Sequence, residues 1–197
     1  GHSVQFDPVG LRIWFLCGDS EKAAGLYRVN AGGTDVEAVI TNYSLNNASG
    51  QYAGAVGLMF FPNYVAWGVD QVTDSHLLRM SRSQIGQPSP VVESLGRLQS
   101  TAWYTCRVAS DNSEWLMFVS NEVGSGRVDP AVHVYRVADD AETLDEVLTL
   151  PTRNDKTIIR AYAVGTPLQT PSNAGVVWIA TNVTMPLTAN GTQARGQ

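Results

Sequence analysis

A motif that recurs about every 51 residues is the feature that most constrains the fold of this chain. In each copy an apolar run containing tryptophan ends at an acidic or amide residue, and an aliphatic or aromatic pair followed by arginine comes next. Successive ends of these runs lie 51, 51 and 61 residues apart, at Asp19, Asp70, Asn121 and Asn182. The arginines of the first three copies are Arg28, Arg79 and Arg136. Repetition at this period is typical of architectures built from stacked units.

Each copy predicts four short antiparallel strands, which is the pattern of a β-propeller blade. The motif supplies the second and third strands. First strands are predicted at 55–61, 101–108 and 158–165, and fourth strands at 36–41, 91–95 and 146–150. The first copy is expected to lack most of its first strand, with Val4 to Phe6 as a remnant. The fourth copy is expected to lack its last two strands.

We therefore predict an all-β chain of about three and a half β-propeller-type blades. The blade repeats lie near 11–41, 55–95, 101–150 and 158–184, within an array spanning 1–187, and 188–197 is predicted to be a polar tail. A β-sandwich, the main alternative, gives no reason for a 51-residue repeat. Closed propellers have about four to eight blades. The count leaves three alternatives open: part of a larger propeller, closure by another chain, or an open stack.

The composition argues against several function classes. The 197 residues carry a net charge of −5 and no cluster of Lys or Arg, whereas nucleic-acid binding needs concentrated positive charge. No stretch approaches the roughly 18 apolar residues of a membrane span. Cys17 and Cys106 are too few for a disulfide framework or a structural zinc site, and buried free thiols are favoured. No phosphate loop or catalytic motif occurs, so we predict no cofactor, no metal and no catalytic residue.

The repeated residues have a functional and a structural interpretation. The acidic and amide residues that end the apolar runs would form a polar ring for a cation or a polyol, or they are turn residues bonded to their own backbone. The following arginines would add charge-assisted bonds to them. A residue used in every blade usually builds the blade, which favours the structural interpretation. The tryptophans of the second strands are expected to pack between blades, namely Trp14, Trp67, Trp115 and Trp178.

One loop and one tryptophan stand outside the repeat as candidate ligand-binding sites. The segment that holds Asp70, Asp74 and His76 is the densest polar stretch of the chain, and it is either a metal-ligating or proton-relaying loop or a solvated connection between strands. Trp103 lies on a first strand and breaks the tryptophan pattern. It is a candidate for stacking against a sugar, with core packing as the alternative.

First strands of propeller blades line the axial channel, which makes their polar residues further candidates. Arg107 and Arg160 would hold a carboxylated or phosphorylated ligand, with Tyr104 and Tyr162 on the same strands. The alternative is a strand-end arginine bonded to nearby backbone. Alternation places Ala102, Tyr104 and Cys106 on one face and Trp103, Thr105 and Arg107 on the other. Arg160 and Tyr162 share a face.

The repeated motif resembles the blades of sialidase-like and related propellers. It is carried by Gly18-Asp19-Ser20 and Gly25 to Arg28, and by Val69-Asp70 and His76 to Arg79. The resemblance covers Leu11 to about Thr184 and implies a fold without an activity. The arginine triad, tyrosine and acid of sialidases have no matching positions, and their Ser-x-Asp-x-Gly-x-x-Trp box does not occur.

Two functions follow as hypotheses. The first is a non-catalytic propeller module for glycan or protein recognition or for structural assembly, as a possible homo-oligomer or a section continued by another segment. The second is a glycoside hydrolase or sialidase-like fragment, which needs two carboxyl groups flanking the scissile bond. The available acids are Asp70, Asp74, Glu93, Glu114 and Glu122. Sequons at Asn42, Asn47, Asn182 and Asn190 favour an extracellular or virion-associated setting.

Overall fold

The computed structural model describes residues 3–17, 24–41, 55–69, 75–109, 111–120, 131–151, 161–163 and 179–181, with the last two segments and residues 55, 56, 150 and 151 described by their backbone alone. The predicted turn residues of the repeat lie outside these ranges, as does Trp178. Their roles therefore stay predictions.

The described strands form three four-stranded antiparallel sheets and one two-stranded sheet. Blade 1 holds β1 (Ser3–Asp7), β2 (Arg12–Cys17), β3 (Gly25–Val29) and β4 (Val36–Thr41). Blade 2 holds β5 (Ala55–Phe60), β6 (Tyr64–Val69), β7 (His76–Ser81) and β8 (Glu93–Arg97). Blade 3 holds β9 (Thr101–Arg107), β10 (Glu114–Ser120), β11 (Ala131–Ala138) and β12 (Thr143–Pro151), and β13 (Ala161–Ala163) pairs with β14 (Ile179–Thr181).

Strand order in each four-stranded sheet follows the sequence, so that every strand is hydrogen-bonded to its neighbours along the chain. The predicted all-β array of four-stranded antiparallel blades is confirmed. Its three complete sheets and one two-stranded sheet correspond to the expected three and a half blades. A short 3₁₀ turn at Arg82–Gln84 is the helical element of the described part, and no helix there is long and apolar enough to cross a membrane.

The first strand of blade 1 is complete, contrary to the expected remnant. Each residue of β1 pairs with β2, from Ser3 opposite Leu16 to Asp7 opposite Arg12. Pro8 ends the strand without interrupting it, because it lies in the turn where no ladder hydrogen bond is required. The Asp7 carboxylate accepts hydrogen bonds from the backbone N–H groups of Val9 and Gly10, both at 2.9 Å, which fixes this turn.

The blades stack through their first strands, as in a propeller. Strand β5 lies against β1 and β9, and β13 lies against β9. In blades 2 and 3 we call the side of the sheet that packs against the preceding blade the leading face, and the opposite side the trailing face. In blade 1 the trailing face packs against blade 2, and the leading face is the side turned away from blade 2. Trp14, on the trailing face of blade 1, packs against Phe60 of blade 2 with ring centroids 5.7 Å apart. Trp115 of blade 3 packs against the same ring, with centroids 6.1 Å apart.

The prediction that the second-strand tryptophans pack between blades is confirmed for Trp14 and Trp115, whose rings meet Phe60 of blade 2. Trp14 and Trp67 are fully buried and Trp115 is nearly so. Close approach of blades 2 and 3 also requires Gly68, because a Cβ atom there would lie 2.1 Å from the Cβ atom of Ala102. The core is therefore a series of layers between sheets, each built from a trailing face and the next leading face.

Candidate functional site

The exposed leading face of blade 1 is the surface with the clearest capacity to bind a partner. Val4 and Phe6 on β1, with Ile13 on β2, expose 65%, 57% and 44% of their areas, and Leu11 in the intervening turn exposes 65%. The corresponding faces of blades 2 and 3 carry Trp67 and Trp115, which are buried. Blade 1 thus presents to solvent an apolar face of the kind that the other two complete blades bury.

Polar contacts at the rim fix blade 1 to blade 2. The Asp7 carboxylate is 1% exposed and accepts two hydrogen bonds from the Arg82 guanidinium, at 2.8 and 2.9 Å. Arg82 also donates to the carbonyl of Phe61 at 2.7 Å. Burial by itself would raise the pKa of Asp7, but the Arg82 guanidinium and the N–H groups of the turn outweigh it, and the pKa is lowered. Asp7 is therefore held as a buried carboxylate, and this pair is structural.

Polar contacts between turns also join blade 2 to blade 3. Asn63, in the turn between the first and second strands of blade 2, donates from its backbone N–H and its side-chain amide to the carboxylate of Asp140, at 3.0 and 2.7 Å. Asp140 lies between Asp139 and Ala141 in a turn where all three have positive φ, at 54°, 56° and 61°. Arg79 of blade 2 donates to the carbonyl of Ala141 at 3.0 Å. Positive φ is unfavourable for residues with a Cβ atom. The hydrogen bonds from Asn63 and Arg79 of blade 2 therefore stabilise this turn of blade 3 in an unfavourable backbone conformation.

The repeated arginines contact acidic residues on the fourth strand of their own blade. Arg28 pairs with Glu37, and Arg79 pairs with Glu93 at 2.9 Å. Arg136 lies 3.5 Å from Asp145 of the fourth strand and 3.1 Å from Glu114 of the second. In each blade the arginine and the fourth-strand acid face each other in the register: 28 with 37, 79 with 93, 136 with 145. The repeated arginine thus ties the two outer strands of its blade together.

The inner edge of blade 2 is occupied by side chains of its neighbours. Gln5 of β1 accepts from the N–H of Leu58 at 2.7 Å and donates to its carbonyl at 3.3 Å, as a paired strand would. The Thr105 hydroxyl of β9 donates to the same carbonyl at 2.7 Å. Gln5 and Thr105 lie 3.4 Å apart, so three first strands meet at this point. The side chains of Gln5 and Thr105 thus provide hydrogen-bond partners for the backbone groups of Leu58, which the strands of blade 2 alone would leave unsatisfied.

The predicted site residues are only partly covered by the structure. Asp70, Asp74 and Arg160 lie outside the described residues, and Tyr162 is placed on β13 by its backbone alone. His76 begins β7, and its Nδ1 lies 2.8 Å from the Ser94 hydroxyl of β8. Their predicted ligand-binding roles stay predictions.

The two described candidates on β9 make contacts within blade 3. Trp103 is 6% exposed and donates its indole N–H to the carbonyl of Ser120 at 3.0 Å. Arg107 donates to the side-chain oxygen of Asn112, in the turn between β9 and β10, at 3.0 Å. These contacts account for the positions of both side chains, and their proposed roles towards a ligand stay predictions.

The expected sharing of faces along β9 is wrong at one position. Ala102 pairs with Val119 and Tyr104 pairs with Phe118, so Trp103 is the extra residue of a β-bulge. Because the partners Phe118 and Val119 are consecutive, Ala102 and Tyr104 lie on opposite faces rather than on one. Tyr104 and Arg107 follow the bulge, and alternation keeps them on opposite faces as expected.

Two histidines occupy equivalent places in blades 2 and 3, a pattern that we had not predicted. His76 and His133 each come three residues before the repeated arginine, Arg79 or Arg136. His133 Nδ1 lies 2.8 Å from a carboxylate oxygen of Glu146. Hydrogen bonds from His133 and from the Thr149 hydroxyl lower the pKa of Glu146. The shared H-x-x-R spacing was the available signal, and both histidines bind the fourth strand of their own blade.

In the described part of the chain, the cysteine and acidic side chains form no further candidate site. Cys106 is buried, and burial raises its pKa to about 11, which suppresses the reactive thiolate. Both cysteines are free thiols. Among the residues that the structure describes, no three His, Cys, Asp or Glu side chains are grouped as metal ligands.

No protein-family model matches the sequence. No curated protein matches it either. The geometry of the blades and of the exposed leading face of blade 1 is therefore the basis for a functional conclusion.

Proposed function

We propose that this chain is a non-catalytic β-propeller module for structural assembly, which binds a protein partner through the exposed leading face of blade 1. The observation that carries the proposal is the exposure of Val4, Phe6 and Ile13 on a sheet face whose counterparts in blades 2 and 3 are buried, with Leu11 exposed in the adjoining turn. Adjacent exposed apolar side chains on one sheet face favour a protein contact, because covering them removes apolar surface from water.

The polar chemistry of the described residues supports an assembling role. Asp7 and Arg82 join blades 1 and 2, and Asn63 and Asp140 join blades 2 and 3. The acids Glu93 and Glu114, considered for glycoside hydrolysis, contact Arg79 and Arg136. Because these carboxylates are paired with arginines that stabilise the blades, they favour a structural role in assembly over a role in bond cleavage.

The resemblance to sialidase-like blades and the sequons are part of the same proposal. The sequons support an extracellular or virion-associated setting, and the resemblance makes carbohydrate the ligand class against which a protein partner is tested. Recognition by a propeller depends on the site that it carries rather than on its fold. We place that site on the leading face because its apolar side chains are exposed together.

A fluorescent dye tests whether the leading face is a binding surface. At about 1 µM protein, 8-anilinonaphthalene-1-sulfonate is expected to bind the wild-type chain, and Phe6→Asp is expected to remove most of the fluorescence. Val91→Asp is the matched control, because Val91 is 59% exposed but lies on blade 2. Equal fluorescence from wild type and Phe6→Asp would contradict the proposal. Saturable binding on a glycan array that Phe6→Asp leaves unchanged would favour carbohydrate recognition instead.

A further inference from the structure

The strand register of blade 1 separates its charged residues from its apolar ones. Residues that pair on neighbouring strands share one side of a sheet, and Trp14 lies on the trailing side. Arg28 pairs with Trp14 and with Glu37, and Arg12, two residues before Trp14, pairs with Asp7. These four are the charged residues of β1 to β4, and all of them lie on the trailing face. Among the residues of the four strands, the leading face carries no charged side chain.

Two rows of uncharged side chains cross the leading face of blade 1 instead. Each row follows from the pairing of neighbouring strands and holds one residue from each strand. The rows are Val4, Phe15, Tyr27 and Ala38, and Phe6, Ile13, Val29 and Val36. Val4 on the innermost strand is 65% exposed and Val36 on the outermost is 53% exposed, so the open surface extends across the whole sheet. A sheet face that is left to solvent ordinarily carries polar residues, and this face therefore has the composition of a buried one.

We propose that the partner on this face is a second copy of the chain, bound leading face to leading face about a two-fold axis. The inference rests on the proposed function and names its partner. In a two-fold contact the same surface lies on both sides, so inner strands and outer strands of one copy meet a face of the same composition. Each uncharged row then packs against uncharged side chains, and no charge of the strands is buried without a partner.

The lack of charge on these strands also limits what the face can bind. A nucleic acid or an anionic membrane requires basic side chains, and a protein recognised through its charge requires groups of the opposite sign. A second copy requires neither, since it presents the same uncharged rows. Each copy carries a net charge of −5, so two copies repel each other, and a face whose strands are uncharged adds nothing to that repulsion.

The size of the face fits a weak dimer. Four strands about 4.8 Å apart, each five or six residues long, give a face of about 19 by 18 Å, so two faces in contact bury roughly 700–1,000 Å² in total. Standard interfaces bury about 1,200–2,000 Å², and smaller ones are typical of weak or transient association. We therefore expect a dissociation constant on the order of 10–100 µM.

A face that binds its own copy makes a prediction that other arrangements do not share. Ile13 lies on the second of the four strands, so an axis through the middle of the face brings the two copies of Ile13 near each other. Ile13→Asp and Ile13→Lys each place like charges in the contact, and each variant alone is expected to lose association. An equimolar mixture brings opposite charges together and is expected to form 1:1 heterodimers. If the face binds another surface of the chain or a different protein, mixing the variants restores nothing.

Sedimentation velocity between about 1 and 200 µM, with native mass spectrometry of the mixture, tests this arrangement. We expect the wild type and the Val91→Asp control to associate with concentration, and each Ile13 variant alone to have a dissociation constant at least about tenfold higher. Circular dichroism checks folding. Because Ile13 is 44% exposed, the longer Ile13→Glu and Ile13→Arg, whose stems cover apolar neighbours, replace any variant that unfolds.

The outcomes separate the two proposals. Dye binding that depends on Phe6, with a wild type that stays monomeric at 200 µM, would overturn the second copy as partner and leave a different protein on the same face. Association that both Ile13 variants weaken but their mixture does not restore would overturn the two-fold contact, and association that they leave unchanged would place the contact elsewhere. A monomer that binds no dye would contradict both proposals.

Discussion

Replacing Asp7 with asparagine tests whether the rim pair holds blade 1 to blade 2. The Asp7 carboxylate is 1% exposed and contacts Arg82 at 2.8 and 2.9 Å, besides the N–H groups of Val9 and Gly10. Asparagine keeps an acceptor for the turn but leaves the Arg82 guanidinium, on a side chain that is 16% exposed, without its anion. Removing one partner of a buried pair costs about 3–5 kcal/mol. We expect about 3 kcal/mol, because Arg82 retains its bond to a backbone carbonyl.

Urea unfolding followed by tryptophan fluorescence measures this loss. For a chain of this size, about 3 kcal/mol corresponds to a fall in Tm of about 6–12 °C. Glu37→Gln is the control, since it removes the partly exposed pair with Arg28 and is expected to cost about 0.5 kcal/mol. Adding Arg82→Met to Asp7→Asn should cost less than the two single effects together. A loss no greater than that of Glu37→Gln, or additive single effects, would refute the reasoning.

The lowered pKa of Asp7 gives the same pair a pH signature. A carboxyl group whose folded pKa lies below its unfolded pKa contributes stability in full above the unfolded pKa, about 3.9 for Asp. That contribution is lost as pH falls through the lowered folded pKa. The difference in unfolding free energy between wild type and Asp7→Asn should therefore be constant from pH 8 to about pH 5 and should shrink below about pH 4. A difference that grows under acid conditions would contradict this assignment.

Three further predictions follow from the contacts between blades. Gly68→Ala should cost about 1–3 kcal/mol in urea unfolding, because its Cβ atom would meet that of Ala102, and adding Ala102→Gly should restore part of the loss; an unchanged midpoint for the single variant would contradict the close approach. Gln5→Ala should cost about 1–3 kcal/mol by leaving the backbone N–H of Leu58 at the inner edge without its partner, while the Leu58 carbonyl keeps its hydrogen bond from Thr105; a loss below about 0.5 kcal/mol would mean that the edge is not closed by Gln5. Cys106, with its pKa raised to about 11, should react with a disulfide reagent at pH 8 only after unfolding in urea, and rapid reaction in the native protein would refute its burial.

The sequence predicts the blades well because each strand is short, local and rich in β-branched and aromatic residues. Strand β4 matches its predicted range, Val36–Thr41, whereas β8 begins two residues later than expected, at Glu93. Strand β1 was underestimated because Pro8 follows it closely, although the proline lies in the turn. Residue alternation was misleading at Trp103, where one extra residue reverses which face Ala102 occupies. A bulge leaves no signal in residue type alone.

The candidate site was harder to predict because it depends on contacts between distant parts of the chain. Asp7 and Arg82 are 75 residues apart, and neither belongs to the repeated motif. The exposed face of blade 1 has the same composition as a buried one, so Phe6 and Ile13 look like core residues in the sequence. Only the position of blade 1 at one end of the described stack leaves them uncovered.

Strand order that follows the sequence within every complete blade has a consequence for how such chains change in evolution. Because each hydrogen-bond ladder closes within one contiguous stretch, duplication or loss of a whole blade leaves the remaining ladders intact. Adjacent blades are joined by a few side chains, such as Gln5 and Asp7. A blade that becomes a new neighbour therefore needs to accommodate only those side chains. The number of blades is therefore the property that recombination can alter most readily, while the architecture of each blade is inherited unchanged.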